Sequence, residues 1–133
     1  MSQLVVDELE LTRSICRESY FGFLQEFWDI IIQQKPVWNW HIPFLCGLAE
    51  SALERVFAGK PKRWDYIFNV PPGSTKSTIF SVALVPWAWT RVPELRFIGG
   101  SHTFPLALEL SRKSRDIIQS EKYRTLFPEI ELR

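Results

Sequence analysis

At the centre of the chain stands the stretch Asn69-Val70-Pro71-Pro72-Gly73-Ser74-Thr75-Lys76-Ser77-Thr78. A β-like apolar run, Tyr66-Ile67-Phe68, precedes it, and a helix-compatible run at residues 79–84 follows it. A strand, a small-residue turn ending in Lys-Ser and a helix are the layout of a phosphate-binding P-loop. Backbone N–H groups of such a turn point at anionic oxygens. Lys76 adds a charge at the β- and γ-phosphates, and the Ser77 hydroxyl holds Mg²⁺.

The match to the strict pattern G-x-x-x-x-G-K-[ST] is incomplete. Val70 and Thr75 occupy the two glycine places, and Gly73 lies between them. A β-branched residue is strained at the sixth place if that position needs a positive φ. The alternative interpretation is a Pro-Pro-Gly turn that joins a strand to a helix capped by Ser74 or Thr75, and it leaves Lys76 without a task.

The order of further runs along the chain resembles one protein family. These runs are Trp38-Asn39-Trp40-His41-Ile42, Phe68 to Thr78, Ser81-Val82, Pro86-Trp87-Ala88-Trp89, Leu95-Arg96-Phe97-Ile98, Ser111 to Ser120, and Tyr123 with Phe127-Pro128. Together they resemble the N-terminal ATPase part of the large terminase subunit of tailed bacteriophages and prophages. That family uses a Pro-Pro-x-x-x-Lys-Ser loop and does not require glycine before the lysine. The resemblance runs from about Phe27 to Pro128.

The resemblance implies an N-terminal, truncated piece of the ATP-driven motor that packages double-stranded DNA into capsids, acting in the cytoplasm of a bacterial host cell. It implies ATP and Mg²⁺ as cofactors. The implied partners are double-stranded DNA, the portal protein, the small terminase subunit and other copies of the large subunit. The implied cofactor-binding residues are Pro72, Gly73, Ser74, Thr75, Lys76, Ser77 and Thr78, with Lys76 stabilising the phosphates and Ser77 holding Mg²⁺.

The segment before the P-loop strand helps to hold adenine in the resembled family. On this sequence the adenine contacts would be Trp40 and His41, because an aromatic ring stacks on a base and a histidine reads its edge. Two tryptophans that flank a helix start are also typical packing residues, with Asn39 as the N-cap. Arg112 and Arg115 share a helix face and are candidates for a γ-phosphate contact, the alternative being surface salt bridges.

An ATPase of this class also needs an apolar strand that ends in Asp for Mg²⁺, followed by a Glu that activates water. The nearest run, Phe104 to Glu109, contains Pro105, and its spacing places it in the first turns of a helix. We therefore expect weak nucleotide binding without ATP turnover, and no nuclease domain. Two alternatives stay open: an inactive prophage remnant or interaction fragment, and a small P-loop phosphotransferase that completes its site with other residues.

Composition sets the broad class. The 133 residues are 46% hydrophobic with six Trp and ten Phe, which indicates one folded domain. A net charge of +1 leaves any nucleic-acid contact to local basic patches. Cys16 and Cys46 are isolated and read as reduced core thiols, and His41 and His102 lack the ligand spacing of a metal site. The acidic N-terminus is no secretory signal, and the apolar run at residues 79–89 is too short to span a bilayer.

Periodicity predicts helices at residues 12–34, 41–58, 76–87 and 104–120, strands at 65–70 and 95–100, and a short helical turn at 122–126. This order predicts an α/β fold: a partial P-loop NTPase fold with a parallel sheet, preceded by two N-terminal helices. The helical lead-in covers residues 1–59 and the P-loop half covers 60–133. Because the strands lack neighbours, we expect Ile67, Phe68, Phe97 and Ile98 to be partly exposed.

Overall fold

The computed structural model describes residues 2–70 and 75–130, with side chains from residue 8 onward. The helices are α1 (Ser2–Glu18), α2 (Tyr20–Ile31), α3 (His41–Phe57), a π-helix (Thr78–Ala83), α4 (Leu84–Arg91), α5 (Phe104–Gln119) and α6 (Glu121–Leu126). Helical backbone is continuous over residues 76–91, so the π-helix and α4 form one rod, called the central helix below. It packs against α1, α2, α3 and α5.

The predicted α/β fold with a parallel sheet is wrong. Residues 65–70 and 95–100 are extended but form no strand, and the described part of the chain contains no sheet. A strand is stable only when it is hydrogen-bonded to neighbouring strands and when the apolar face of the sheet packs against other elements. The two apolar runs are short, and the core is built instead from aromatic residues buried between helices, which include Tyr20, Phe23, Phe27, Trp87, Tyr123 and Phe127. Phe68 stacks on Phe80 of the π-helix at a centroid distance of 4.3 Å, so its side chain, and not a backbone ladder, holds this segment.

The expected exposure of the two extended segments is confirmed. Ile67 is 84% exposed, Phe97 is 37% exposed and Ile98 is fully exposed, while Phe68 is half-buried. The exposure arises because both segments run along the outside of a helical core, and not at the open edge of a sheet.

The single helix predicted at residues 12–34 is divided into α1 and α2. The break is at Ser19, whose hydroxyl accepts a hydrogen bond from the Gly22 N–H at 3.0 Å and so caps α2. Glycine at position 22 lets α1 approach, because a Cβ there would lie 2.9 Å from Cγ2 of Ile15. The helices predicted at residues 41–58, 104–120 and 122–126 are confirmed to within one residue.

The central helix supplies the middle of the core. Its buried residues are Ile79, Val82, Ala83, Pro86, Trp87, Ala88 and Thr90. Trp87 is fully buried, and its ring centroid lies 5.1 Å from that of Tyr20 on α2. The Trp87 indole N–H donates to the backbone carbonyl of Cys16 on α1 at 2.9 Å. The N-terminal helices and the second half of the chain therefore share one core.

The helix predicted at residues 76–87 does not end beside Pro86 but continues to Arg91. Proline has no N–H, so helical carbonyls one turn earlier lose their donor. The hydroxyl of Ser114 on α5 takes that place, with its Oγ 2.7 Å from the Val82 carbonyl and 3.2 Å from that of Ser81. A side chain from a neighbouring helix thus satisfies the backbone that the proline leaves open.

Candidate functional site

The predicted phosphate loop is described in part. Pro72, Gly73 and Ser74 lie outside the described residues, and so does the predicted concavity that they would form. Thr75, Lys76, Ser77 and Thr78 are described, and the structure brings these four together at the start of the central helix. The predicted helix start near Lys76 is confirmed.

Thr75 has an unusual backbone conformation. Its φ is 72°, and among the described residues no other non-glycine residue has a positive φ. Thr75 stands at the sixth place of the P-loop pattern, where the strict motif has glycine. Its carbonyl accepts a hydrogen bond from the Ile79 N–H at 3.0 Å, so the chain turns from the left-handed conformation directly into the helix. The backbone here has the positive φ that glycine would adopt without strain.

The side chains that follow Thr75 are open to solvent. Lys76 and Ser77 are both exposed, and neither side chain has a hydrogen-bond or ion-pair partner among residues 8–70 and 75–130. The first N–H groups of a helix have no partner within the helix and carry a partial positive charge. A cation, a hydroxyl and the first amides of a helix therefore lie at one helix end, which is an arrangement that attracts an anion.

The start of the central helix is anchored from α2. The hydroxyl of Tyr20 donates to the backbone carbonyl of Ile79, and both residues are fully buried. Burial raises the Tyr20 pKa well above its ordinary value, so the hydroxyl stays protonated as a donor. Sequence reasoning missed this residue, because nothing in the pattern links two positions that lie 59 residues apart.

Trp40 and His41 are at the start of α3. Trp40 is 78% exposed, and its described ring contacts are with His41 at 6.4 Å and Phe44 at 6.0 Å. None of these contacts joins it to residues 75–78. Asn39 is not the N-cap of α3, since that position is Trp40 and carries no side-chain cap. Trp38 has the packing role, with its ring 4.9 Å from that of Trp28.

The other candidate residues are two arginines on α5, two cysteines and the possible metal ligands. Arg112 and Arg115 are exposed on α5, and neither forms an ion pair within the described ranges. Cys16 and Cys46 are buried free thiols, and burial raises the pKa of each to about 12. No group of three or more His, Cys, Asp or Glu side chains that could hold a metal ion occurs in the part of the chain that the structure describes.

Comparison with known proteins identifies no relative of this chain. The chain matches no protein-family model, no curated protein and no solved structure. Among the helices in the described ranges, none has the length and apolar character needed to cross a membrane.

The conformation of Thr75 leads to a testable effect on stability. We expect Thr75→Gly to stabilise the chain by about 1 kcal/mol, because relief of left-handed strain exceeds the entropy that glycine adds to the unfolded state. Urea unfolding followed by circular dichroism measures the change. Thr78→Gly is the matched control. It lies at the first position of the π-helix and should destabilise by about 0.3 kcal/mol, the difference between the helix propensities of threonine and glycine. A loss of stability in Thr75→Gly would show that the threonine is not strained.

Proposed function

We propose that the chain binds the phosphate groups of ATP at the start of the central helix, as the nucleotide-binding segment of a DNA-packaging motor of the terminase type. The observation that carries the phosphate site is the positive φ of Thr75 directly before Lys76 and Ser77. Non-glycine residues in such conformations cluster at active sites and ligand-binding turns. The proposal needs a turn and a helix start, and does not depend on a sheet.

Each described residue has a separate task in this proposal. The N–H groups of the first helical turn donate to phosphate oxygens, and Lys76 places its ammonium group beside them. The hydroxyl of Ser77 is an oxygen ligand of the kind that Mg²⁺ takes, and a bound Mg²⁺ would neutralise phosphate charge. Tyr20 holds the Ile79 carbonyl and so fixes the direction of the helix that presents these groups.

Binding without hydrolysis is the activity proposed for this chain. The run from Phe104 to Glu109 begins α5, with Thr103 as its N-cap, so its predicted place in the first turns of a helix is confirmed. Lys76 stabilises charge but cannot activate water in place of a carboxylate. ATP hydrolysis would therefore need a carboxylate from outside the described residues.

The partners and the compartment are proposed from the resemblance alone. They are double-stranded DNA, the portal protein, the small terminase subunit and other large-subunit copies, in the cytoplasm of a bacterial host cell. The described helices offer exposed cations for DNA on α5, at Arg112, Lys113 and Arg115.

A thermal-shift experiment tests the phosphate site. ATP with Mg²⁺ should raise the melting temperature of the chain, since a ligand at 100 times its Kd stabilises by about 2.7 kcal/mol. Lys76→Ala should abolish the rise, because it removes the cation at the phosphates. Phosphate release should stay at the level of the Lys76→Ala variant.

Lys60→Ala is the matched control, since Lys60 is also an exposed lysine but lies outside the loop. It should keep the full ATP-dependent rise. An equal rise in wild type and Lys76→Ala would remove the basis for the site. Steady phosphate release well above the Lys76→Ala level would show that the chain carries a catalytic carboxylate.

A further inference from the structure

A cleft of about 470 Å³ opens between the central helix and α5. Phe80, Val85 and Trp89 line it from the central helix, and the extended segment 97–101 forms a third wall. Its volume falls within the range of small-molecule sites, about 300–1,000 Å³. Lys76 and Ser77 do not line it, so it is separate from the phosphate site.

The cleft has aromatic walls that are held in place. The Trp89 indole N–H donates to the Leu95 carbonyl at 2.8 Å, which fixes the beginning of the extended segment against the central helix. The Trp89 and Phe97 rings then meet edge to face, with centroids 6.5 Å apart. Phe80 is braced from behind by Phe68 at 4.3 Å. Flat aromatic molecules pack well against rings that are fixed in this way.

The polar part of the cleft is cationic. Arg115 and Ser111 line it from α5, and Ser81 lines it from the central helix. All three residues are exposed. The Arg115 guanidinium has no hydrogen-bond or ion-pair partner within residues 8–70 and 75–130. None of the described residues that line the cleft is acidic. A guanidinium group with neighbouring hydroxyls binds carboxylate, sulfonate or phosphate oxygens through charge-assisted hydrogen bonds.

We propose that this cleft is a binding site for a small molecule with a flat aromatic body and a single anionic group. The body lies among Phe80, Trp89 and Phe97, and the anionic group meets Arg115. The site does not depend on the phosphate loop, and a Lys76→Ala chain should retain it.

Anilinonaphthalene sulfonate has this chemistry and serves as the probe. Titration of the full chain should show one saturable site by fluorescence. Arg115→Gln should weaken binding by about tenfold, the loss of one charge-assisted hydrogen bond. Arg112→Gln, on the same helix but outside the cleft, should leave the affinity unchanged. Ala107→Trp, which fills the cleft from α5, should abolish binding.

Anilinonaphthalene without the sulfonate separates the two parts of the site. It should bind wild type and Arg115→Gln equally, because only the anionic group needs the guanidinium. Circular dichroism spectra that match wild type establish that each variant is folded. Sulfonate binding that is the same in wild type, Arg115→Gln and Ala107→Trp would overturn the proposal, because the probe would then occupy other apolar surface. The proposal would also be overturned if sedimentation showed a dimer and the chain bound the probe only after dilution to the monomer. The cleft would then be an interface between two copies of the chain.

Discussion

Replacing Trp87 with alanine should destabilise the chain by about 3–5 kcal/mol, the usual loss when a large aromatic residue leaves a core. Trp87 is fully buried at the meeting point of three helices, with Tyr20 at 5.1 Å and Phe57 at 5.8 Å. Its indole N–H also satisfies the Cys16 carbonyl. Because domain stabilities are about 5–15 kcal/mol, this single change should remove a large part of the total. Urea unfolding followed by far-ultraviolet circular dichroism measures it.

Two further variants act as controls. One tests whether the loss of any tryptophan side chain lowers stability, and the other tests the loss of the indole hydrogen bond apart from the loss of volume. Trp40→Ala removes the same side chain from an exposed position, and should change stability by no more than about 0.5 kcal/mol. Trp87→Phe keeps most of the volume but leaves the Cys16 carbonyl without its donor, at a cost of about 1–3 kcal/mol. If Trp87→Ala unfolded at the same urea concentration as Trp40→Ala, the shared core described above would be incorrect.

The chain should lose stability steeply at alkaline pH. Burial raises the pKa of the Cys16 and Cys46 thiols from 9.0 to about 12, with Glu26 and Glu50 as smaller contributions. Between pH 9.0 and about 12, the folded state therefore keeps both thiol protons, whereas the unfolded state releases them. This stability is fully present below pH 9.0 and is lost as the pH rises toward 12. Each thiol contributes a slope of about 1.4 kcal/mol per pH unit, so the two together give about 2.8 kcal/mol per pH unit.

Above the ordinary tyrosine pKa of 10.0, Tyr20 and Tyr123 add to this loss, because burial also raises the pKa of both phenols. We expect the free energy of unfolding, measured by urea titration under reducing conditions, to fall with increasing steepness above pH 9.0. A Cys16→Ala, Cys46→Ala double variant is the control. Its free energy of unfolding should be almost independent of pH between 9.0 and 10.0, and should fall only above pH 10.0, where the tyrosines ionise in the unfolded state. An unchanged slope in this variant would show that the thiols are not buried as described.

Periodicity was sufficient for the helices whose apolar stripe and stop signal coincide. The helix at residues 41–58 ends before Gly59, which has a φ of 70° as a helix stop requires. The run at residues 104–120 was equally clear, and Ile117 and Ile118 supply its buried face. The start of the helix near Lys76 also followed from the residue types, and strain at Thr75 was expected if that position had a positive φ, which it has. Local chemistry decides these features, because propensity, capping and φ depend on near neighbours.

The sheet is the feature that sequence reasoning got wrong. Tyr66-Ile67-Phe68 and Leu95 to Ile98 have β-like composition, and the order of elements matched an α/β pattern. Whether such runs pair depends on partners elsewhere in the chain, which composition does not reveal. Helices with aromatic faces enclose the core here, and the extended runs remain on its outside. The same limit applies to Ser114, whose role beside Pro86 depends on a contact between helices 32 residues apart.

The sequence by itself determined the helices at residues 41–58, 104–120 and 122–126 to within one residue, and it placed Lys76 and Ser77 at a helix start. These are consequences of residue type and spacing over a few positions. Only the tertiary structure decided that the core is helical, that Tyr20 anchors the Ile79 carbonyl, and that an aromatic cleft opens beside Arg115. Each of those depends on segments distant in sequence, because buried area and hydrogen-bond partners are set by the packing of the whole chain.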